Sequence, residues 1–350
     1  MPTSIRRLLE SHPIEASAPC RVDSGGTWDI KTLALPLEHI RPVTLNMALS
    51  LRTRVTLLPF EEGLVRVSSE GFPGMGQYPF DTIPFTSPFG LFFAAISYFG
   101  LHGLHVHIRS DSPVKSALGG SSTAIVALIK ALCKVEVLLG RKEMAAGRVL
   151  HLAYHLEDGV TKGKCGIQDQ AAAVYGGVHL WRWQYGEKGF PFRRIPLLDR
   201  KGQRELSERL LVAYSGKSHV SSRINRTWID DFLSGRTREG WIKANDIVNR
   251  LANALGEKDW NTAASLLREE MAVRKEITPD ALIPVTERLV EQAEGVGCGA
   301  RFAGAGSGGS VWALGEKDRI KQLKKLWAST LSSIRGARIL PCAIDPIGVR

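Results

Sequence analysis

Pro113-Val-Lys-Ser-Ala-Leu-Gly-Gly-Ser-Ser-Thr-Ala-Ile-Val-Ala-Leu-Ile-Lys-Ala-Leu-Cys133 joins a breaker-rich loop of small residues to an apolar helix. Ile125, Val126, Leu128, Ile129 and Leu132 recur at helical spacing, which predicts one buried face. Ser121 or Ser122 is the expected N-cap. The loop then lies at the positive end of a helix, where free backbone N–H groups meet no bulky side chain. Such a place suits an anion, and a polyphosphate above all. A tight turn ahead of a core helix would use the same residues, so this loop does not decide function alone.

Working back toward the N-terminus, His105-Val-His-Ile-Arg109 alternates as a strand feeding that loop, and residues 88–99 form the helix before it. A strand, a small-residue loop and a helix in this order present backbone amides to phosphate. His105 and His107 share a strand face, but no third metal ligand stands near them. Leu64 to Val67 adds a strand, and Pro42 to Leu58 alternates as a strand pair would. Ala16 to Arg21 is a short extended piece. It runs into Val22-Asp-Ser-Gly-Gly-Thr-Trp-Asp29, a glycine turn whose two carboxylates are expected to face a common space.

Working forward, Glu143 to Asp158 reads as a helix. His151 and His155 are four apart on it, but Leu152 stands where a zinc protease needs Glu. Gly166-Ile-Gln-Asp-Gln170 then heads an Ala-rich helix. Asp169, flanked by two glutamines, is either a charge complementing the helix dipole or a general base held at a helix start. Residues 178–183, 193–198 and 210–214 read as strands, and 223–274 and 286–294 as helical. Gly216-Lys-Ser218 is not a P-loop, because Leu211 occupies the position where that pattern needs glycine. Lys217, His219 and Arg223 are placed either to meet a substrate phosphate or as exposed charges. A second loop, Gly299 to Ser310, has five glycines in its first eleven residues and precedes the strand 311–314, allowing very close backbone approach.

The chain has 350 residues and is 44% hydrophobic and 23% charged, which predicts a soluble protein of two domains. Its net charge of +11 suits phosphorylated substrates, while the basic residues are scattered and no aromatic-interleaved basic patch points to nucleic acid. Five cysteines without a CxxC pair predict neither a disulfide framework nor a zinc ribbon. The N-terminal residues lack the apolar core of a signal peptide. The uncharged run 82–101 carries Pro84, Pro88 and Gly90 and reads as a loop entering a buried helix rather than a membrane span. A cytoplasmic location is expected.

Taken together, the loops resemble the GHMP small-molecule kinase superfamily. Ala18-Pro-Cys-Arg-Val-Asp23 with Gly25, Gly26 and Asp29 is similar to its first motif. Pro113 to Ser122 is similar to its phosphate loop, and Gly304 to Gly309 to its C-terminal glycine loop. Gly166, Gln168, Asp169 and Gln170, with Ala213 to Ser218, are similar to the heptose 7-phosphate kinase and L-fucose kinase branch, and Cys165 to Ile167 to galactokinase. The resemblance implies an α+β, two-domain chain. Residues 1–195 would form an N-terminal ATP- and magnesium-binding catalytic domain like domain 2 of ribosomal protein S5, and 196–350 a ferredoxin-like split βαβ sandwich.

It also implies ATP- and Mg²⁺-dependent phosphorylation of a sugar or sugar-phosphate hydroxyl, most simply the anomeric one. By resemblance, Asp169 is the catalytic carboxylate and Arg21 its partner. Pro113, Ser116, Ala117, Leu118, Gly119, Gly120, Ser121 and Ser122, with Gly304, Ala305, Gly306 and Gly308, would hold ATP. Ser122 and Glu157 would approach the metal. Asp23, Gly26, Asp29 and Gln168 would meet the sugar. The first motif is one residue short between Arg21 and Asp29, Ser307 replaces a glycine, and Ala117 stands where the phosphate loop has glycine, which predicts an ordinary φ there. Other specificities of the superfamily, such as mevalonate or homoserine, and a non-catalytic sugar sensor of the same fold are the alternatives. A nucleic-acid-binding module rests on charge alone.

Overall fold

The computed structural model describes residues 4–163, 165–218 and 221–350, with the side chains of 221–223 left aside. Two sheets organise it. The first contains β1 (Ile14–Ser24), β2 (Val43–Pro59), β3 (Leu64–Ser69), β4 (Met75–Pro79), β5 (Leu104–Ser110), β6 (Val178–Trp183) and β7 (Phe192–Pro196). Its order is β4-β3-β5-β2-β6-β7, with β1 paired along β2. Only β3 and β5 run parallel within it.

Pro42 to Leu58 is one strand, not a pair. No turn residue interrupts it, and β1 follows it over 11 residues with a bulge at Pro19/Cys20. The bulge bends both strands. β6 pairs with residues 43–47 of β2 and β5 with residues 53–59, so neighbours at both ends hold the long strand. The helix Gly120–Leu138 packs across β1 and β2, with Ile125, Val126, Leu128, Ile129 and Leu132 fully buried as their spacing predicts. Each such side chain contributes about 1.5–3 kcal/mol on leaving water. The helix expected from Glu143 begins at Ala146 and continues to Val160.

The second sheet contains β8 (Leu210–Tyr214), β9 (Gly299–Phe302), β10 (Ser310–Leu314) and β11 (Arg338–Ile339) in the order β11-β8-β10-β9, all antiparallel. In chain order this is 4-1-3-2, the arrangement of a ferredoxin-like split βαβ. The α+β, two-domain expectation is met. Helices Arg238–Gly256 and Trp260–Ile277 pack on each other, and the latter lies on β9.

The C-terminal tail does not stay with the second sheet. Ile344 bridges to Leu49, and the backbones of Ser17 and Arg350 exchange hydrogen bonds at 2.9 and 3.0 Å. Buried Arg52 fixes it, pairing with Asp345 at 2.5 Å and donating to the carbonyls of Ser17 and Gly348. Among the described residues no helix is long and apolar enough to cross a membrane.

Candidate active site

β5 ends at Ser110, and the loop that follows reaches Gly119, the N-cap of the helix Gly120–Leu138. Gly119 has φ +79°, which only glycine adopts without strain. The helix start leaves N–H groups without intrahelical partners, concentrating partial positive charge there. Two expectations fail in this loop. The N-cap is Gly119 rather than Ser121 or Ser122, and no side chain caps it. Both hydroxyls instead donate to Glu157 at 2.7 Å, a stronger acceptor than a backbone arrangement could offer. Ala117 is not in an ordinary conformation either: its φ is +63°, and its carbonyl accepts from Arg21 Nη1 at 2.7 Å. That bond holds the Ala117 carbonyl toward β1. Ser307, the other non-glycine in a glycine loop, is also left-handed at φ +56°.

Arg21 on β1 is buried and registered against the loop by its own amide, which donates to the Leu118 carbonyl at 3.1 Å. Its Nε donates to Asp169 Oδ1 at 2.7 Å. Burial works against the guanidinium charge, but the carboxylates of Asp169 and Asp23 outweigh it and hold its pKa above the ordinary value. Asp169 sits in the first turn of the helix Gln168–Tyr175, where the dipole favours an anion. Its carboxylate abuts the cradle, since a Cβ on Gly119 would lie 3.2 Å from Oδ2. Segments about Arg21, Gly119 and Asp169 thus converge.

Glu157 is 6% exposed and accepts from Ser121, Ser122 and Gln170, each at 2.7 Å. Burial raises its pKa, with the Ser122 and Ser121 hydroxyls opposing the shift and the Asp169 charge adding to it. No cation lies in salt-bridge range of it among the described residues. Hard oxygen donors of this kind, facing the amide cradle, fit a magnesium ion that keeps most of its waters.

Asp29 is also buried. Its Oδ1 accepts from the Thr27 amide at 3.1 Å and its Oδ2 from the Gln168 amide at 3.0 Å. Burial pushes its pKa up to about 7, the amide bonds opposing and the charge of Asp169 adding. Gly166 is obligatory here, because a Cβ would stand 1.8 Å from Asp29 Oδ2. Asn46 Nδ2 donates to the Gln168 carbonyl at 3.0 Å and steadies the helix start from β2.

A single cavity of about 430 Å³ joins these groups. Arg21, Asp29, Glu157, Gln168, Asp169, Pro113, Ser116, Ala117, Gly119 to Ser122, Gly304 and Ala305 line it. Leu118, Asp23, Gly26, Gly306 and Gly308 do not. Leu118 is fully buried in the core. Asp23 shares no open space with Asp29: its carboxylate accepts from the Gly304 amide at 2.8 Å and Arg301 Nη1 at 3.2 Å. Gly26 is pressed against it, with room for no side chain. Gly306 and Gly308 back onto the carbonyls of Ala281, Lys217 and Ser218, so that stretch of the loop braces the second domain. Lys217 is exposed, and His219 and the Arg223 side chain lie outside the described residues.

Several lining residues carried no signal in the sequence. Phe72, Phe89, Leu91, Phe92 and Ile108 add apolar lining to the cavity, and Thr27, Asn225 and Trp228 line it as well. Of the histidines, His105 and His107 both hydrogen-bond Ser68, at 2.8 and 3.2 Å, and the His151 and His155 rings pair at 3.0 Å. Among the described residues no group of three or more His, Cys, Asp or Glu side chains is arranged to hold a metal.

A phosphate-type cradle facing an Arg–Asp pair between a mixed sheet and a split βαβ layer defines a small-molecule kinase fold. Residues 90–177 match the family model for the GHMP kinases N terminal domain, and 251–332 that for the GHMP kinases C terminal. Both domains of the GHMP kinase fold are thus matched, in chain order. It is 26% identical over 209 residues to D-glycero-alpha-D-manno-heptose 7-phosphate kinase of Campylobacter jejuni, covering 59% of this chain and 60% of that protein. It is 25% identical over 334 residues to mevalonate kinase of Thermococcus gammatolerans, covering 87% and 90%. The structure of Lactococcus lactis galactokinase complexed with galactose superimposes with a TM-score of 0.72 at 16% identity, over 98% of this chain and 97% of that one.

Proposed function

We propose that this chain is an ATP-dependent sugar kinase that phosphorylates a hydroxyl, the anomeric one, of a sugar or sugar phosphate of the heptose 7-phosphate or L-fucose type. The observation that carries this reading is the Arg21–Asp169 pair held against Gly119, which brings a carboxylate to the mouth of an anion cradle.

The amides of Gly119 to Ser122 hold the polyphosphate of ATP, and Phe72, Phe89 and Phe92 offer its base an apolar wall. Asp169 accepts a hydrogen bond from the acceptor hydroxyl, orients it and takes its proton as the new bond from that oxygen to the γ-phosphorus forms and the bond to the β,γ-bridging oxygen breaks, releasing ADP. Arg21 keeps Asp169 ionised and aligned, and its charge offsets the negative charge on the transferring group. Ser122 and Glu157 would hold Mg²⁺, which when bound neutralises phosphate charge. Asp29 and Gln168 meet sugar hydroxyls. Gln168 Oε1, buried and without a partner among the described residues, is an acceptor for one of them. A carboxyl facing the acceptor favours a neutral polyol over the carboxylate of mevalonate.

Incubation with Mg-ATP and a panel of heptose 7-phosphate, L-fucose, galactose, other aldoses and mevalonate tests the proposal. ADP release with a sugar, abolished in Asp169→Asn, is expected. Turnover of mevalonate alone would reassign the specificity. Calorimetric binding of sugar and nucleotide without product would make the chain a sensor.

A further inference from the structure

The first motif's Asp23 is drawn away from the cavity by a residue of the other domain. Arg301 on β9, with no exposed surface, donates through Nη1 to the Asp23 carbonyl at 3.0 Å and to its Oδ2 at 3.2 Å. Its Nε reaches Glu270 Oε2 at 2.9 Å, and Glu270 is equally buried. The Gly304 amide takes Asp23 Oδ1 at 2.8 Å. On its other side Asp23 Oδ1 stands 3.6 Å from Nη1 of Arg21, the guanidinium whose Nε holds Asp169.

Charges therefore alternate along an unbroken line from Glu270 through Arg301, Asp23 and Arg21 to Asp169. Two carboxylates flank one guanidinium, and a buried carboxylate short of partners pulls hard on the nearest cation. Arg301 and the Gly304 amide occupy both oxygens of Asp23, which leaves Arg21 free to turn its Nε to Asp169. We propose that Arg301 is a positioning residue of the phosphoryl-transfer site: by satisfying Asp23 from the C-terminal domain, it stops Asp23 from competing with Asp169 for Arg21. The proposal rests on the kinase reading for its catalytic consequence, though not for the geometry itself. Lysine cannot replace Arg301 fully, because Nε and Nη1 serve two different carboxylates.

The test compares Arg301→Met, Arg301→Lys, Glu270→Gln and the double variant Arg301→Met/Asp23→Asn with the wild-type chain. Arginine Nε–Hε NMR without any substrate reads the Arg21 signal, assigned with Arg21→Lys, and steady-state kinetics read kcat and KM. In Arg301→Met the Arg21 signal is expected to shift or broaden. The kcat should fall about 10–100-fold, the scale set by a misplacement of about 1 Å, with KM for ATP little changed. Neutralising Asp23 in the double variant removes the competitor and should restore both readouts, which a purely structural loss would not do. An unmoved Arg21 signal in a folded Arg301→Met, or a double variant worse than the single one, overturns the proposal. Should Arg301→Met not fold, Arg301→Lys and Glu270→Gln are expected to give smaller shifts in the same direction, and no shift in either overturns it. If the wild type phosphorylates nothing, the kinase reading fails, and the NMR comparison still decides whether Arg301 sets Arg21.

Discussion

A side chain added to Gly119 would stand 3.2 Å from Oδ2 of Asp169, so the cradle and the candidate catalytic carboxylate occupy adjoining space with almost nothing between them. Gly119→Ala is therefore expected to act twice. Its φ of +79° costs a Cβ about 1–2 kcal/mol, and the methyl group pushes on the carboxylate. Thermal denaturation should show that modest loss of stability, while ADP release falls by a larger factor than stability alone explains.

Asp169→Asn preserves the shape of the site and removes the base. Phosphoryl transfer should drop by about 10²–10⁴-fold, and nucleotide binding should persist. Isothermal calorimetry with a non-hydrolysable ATP analogue, beside the coupled ADP assay, separates the two. Loss of both in parallel would assign Asp169 to binding.

Glu157→Gln still accepts from Ser122 and Gln170 through its amide oxygen and donates to the Ser121 hydroxyl through its NH2, but surrenders the charge a divalent cation would meet. The Mg²⁺ concentration for half-maximal turnover should rise about 10–100-fold, with the helix content by circular dichroism unchanged.

Asp29 supplies a pH signature. Its folded pKa of about 7 lies above the ordinary carboxyl value of 3.8, so between these values the native state retains a proton that the unfolded chain has released. Stability should therefore fall as pH rises from about 4 to 7, by on the order of 1–4 kcal/mol, and level off above. Urea unfolding at pH 5 and pH 8 measures this slope. In Asp29→Asn the slope should shrink even where absolute stability is lower, because the Asn amide cannot accept from both backbone N–H groups as the carboxyl does.

Arg52→Met tests how the tail is held. It leaves Asp345 buried without its cation and removes the Arg52 donations to the Ser17 and Gly348 carbonyls, at a cost of about 3–5 kcal/mol. Chemical denaturation should show that loss, and protease digestion should release peptides from 344–350 first.

What the sequence conveyed depended on how far apart the partners lie. The cradle was legible because Gly119 to Ser122 and the apolar face after them are adjacent and follow local rules. Asp169 stood out through its glutamine neighbours. Ser121 and Ser122 were misassigned as caps because Glu157, about 36 positions on, outcompetes the helix end for their hydroxyls. Asp23 was misassigned to the sugar because its true partner, Arg301, lies 278 positions away and no spacing rule connects them. The left-handed Ala117 goes against residue preference in a loop whose carbonyl is held by Arg21, 96 positions away. Phe89 and Phe92 are neighbours at one helix start, and only the tertiary fold brings Phe72, from the connection between β3 and β4, into the same cavity lining.

The seam between Ser17 and Arg350 has a consequence for how the molecule is made. β1, which carries Arg21, exchanges edge hydrogen bonds with Arg350 through Ser17, while Ile344 bridges to Leu49 on β2. During synthesis the first sheet must wait, incomplete, until nearly the whole second layer has emerged. The β1 edge that meets Arg350 stays open throughout that interval to chaperones and to neighbouring nascent chains, although β1 is already paired with β2 on its other side.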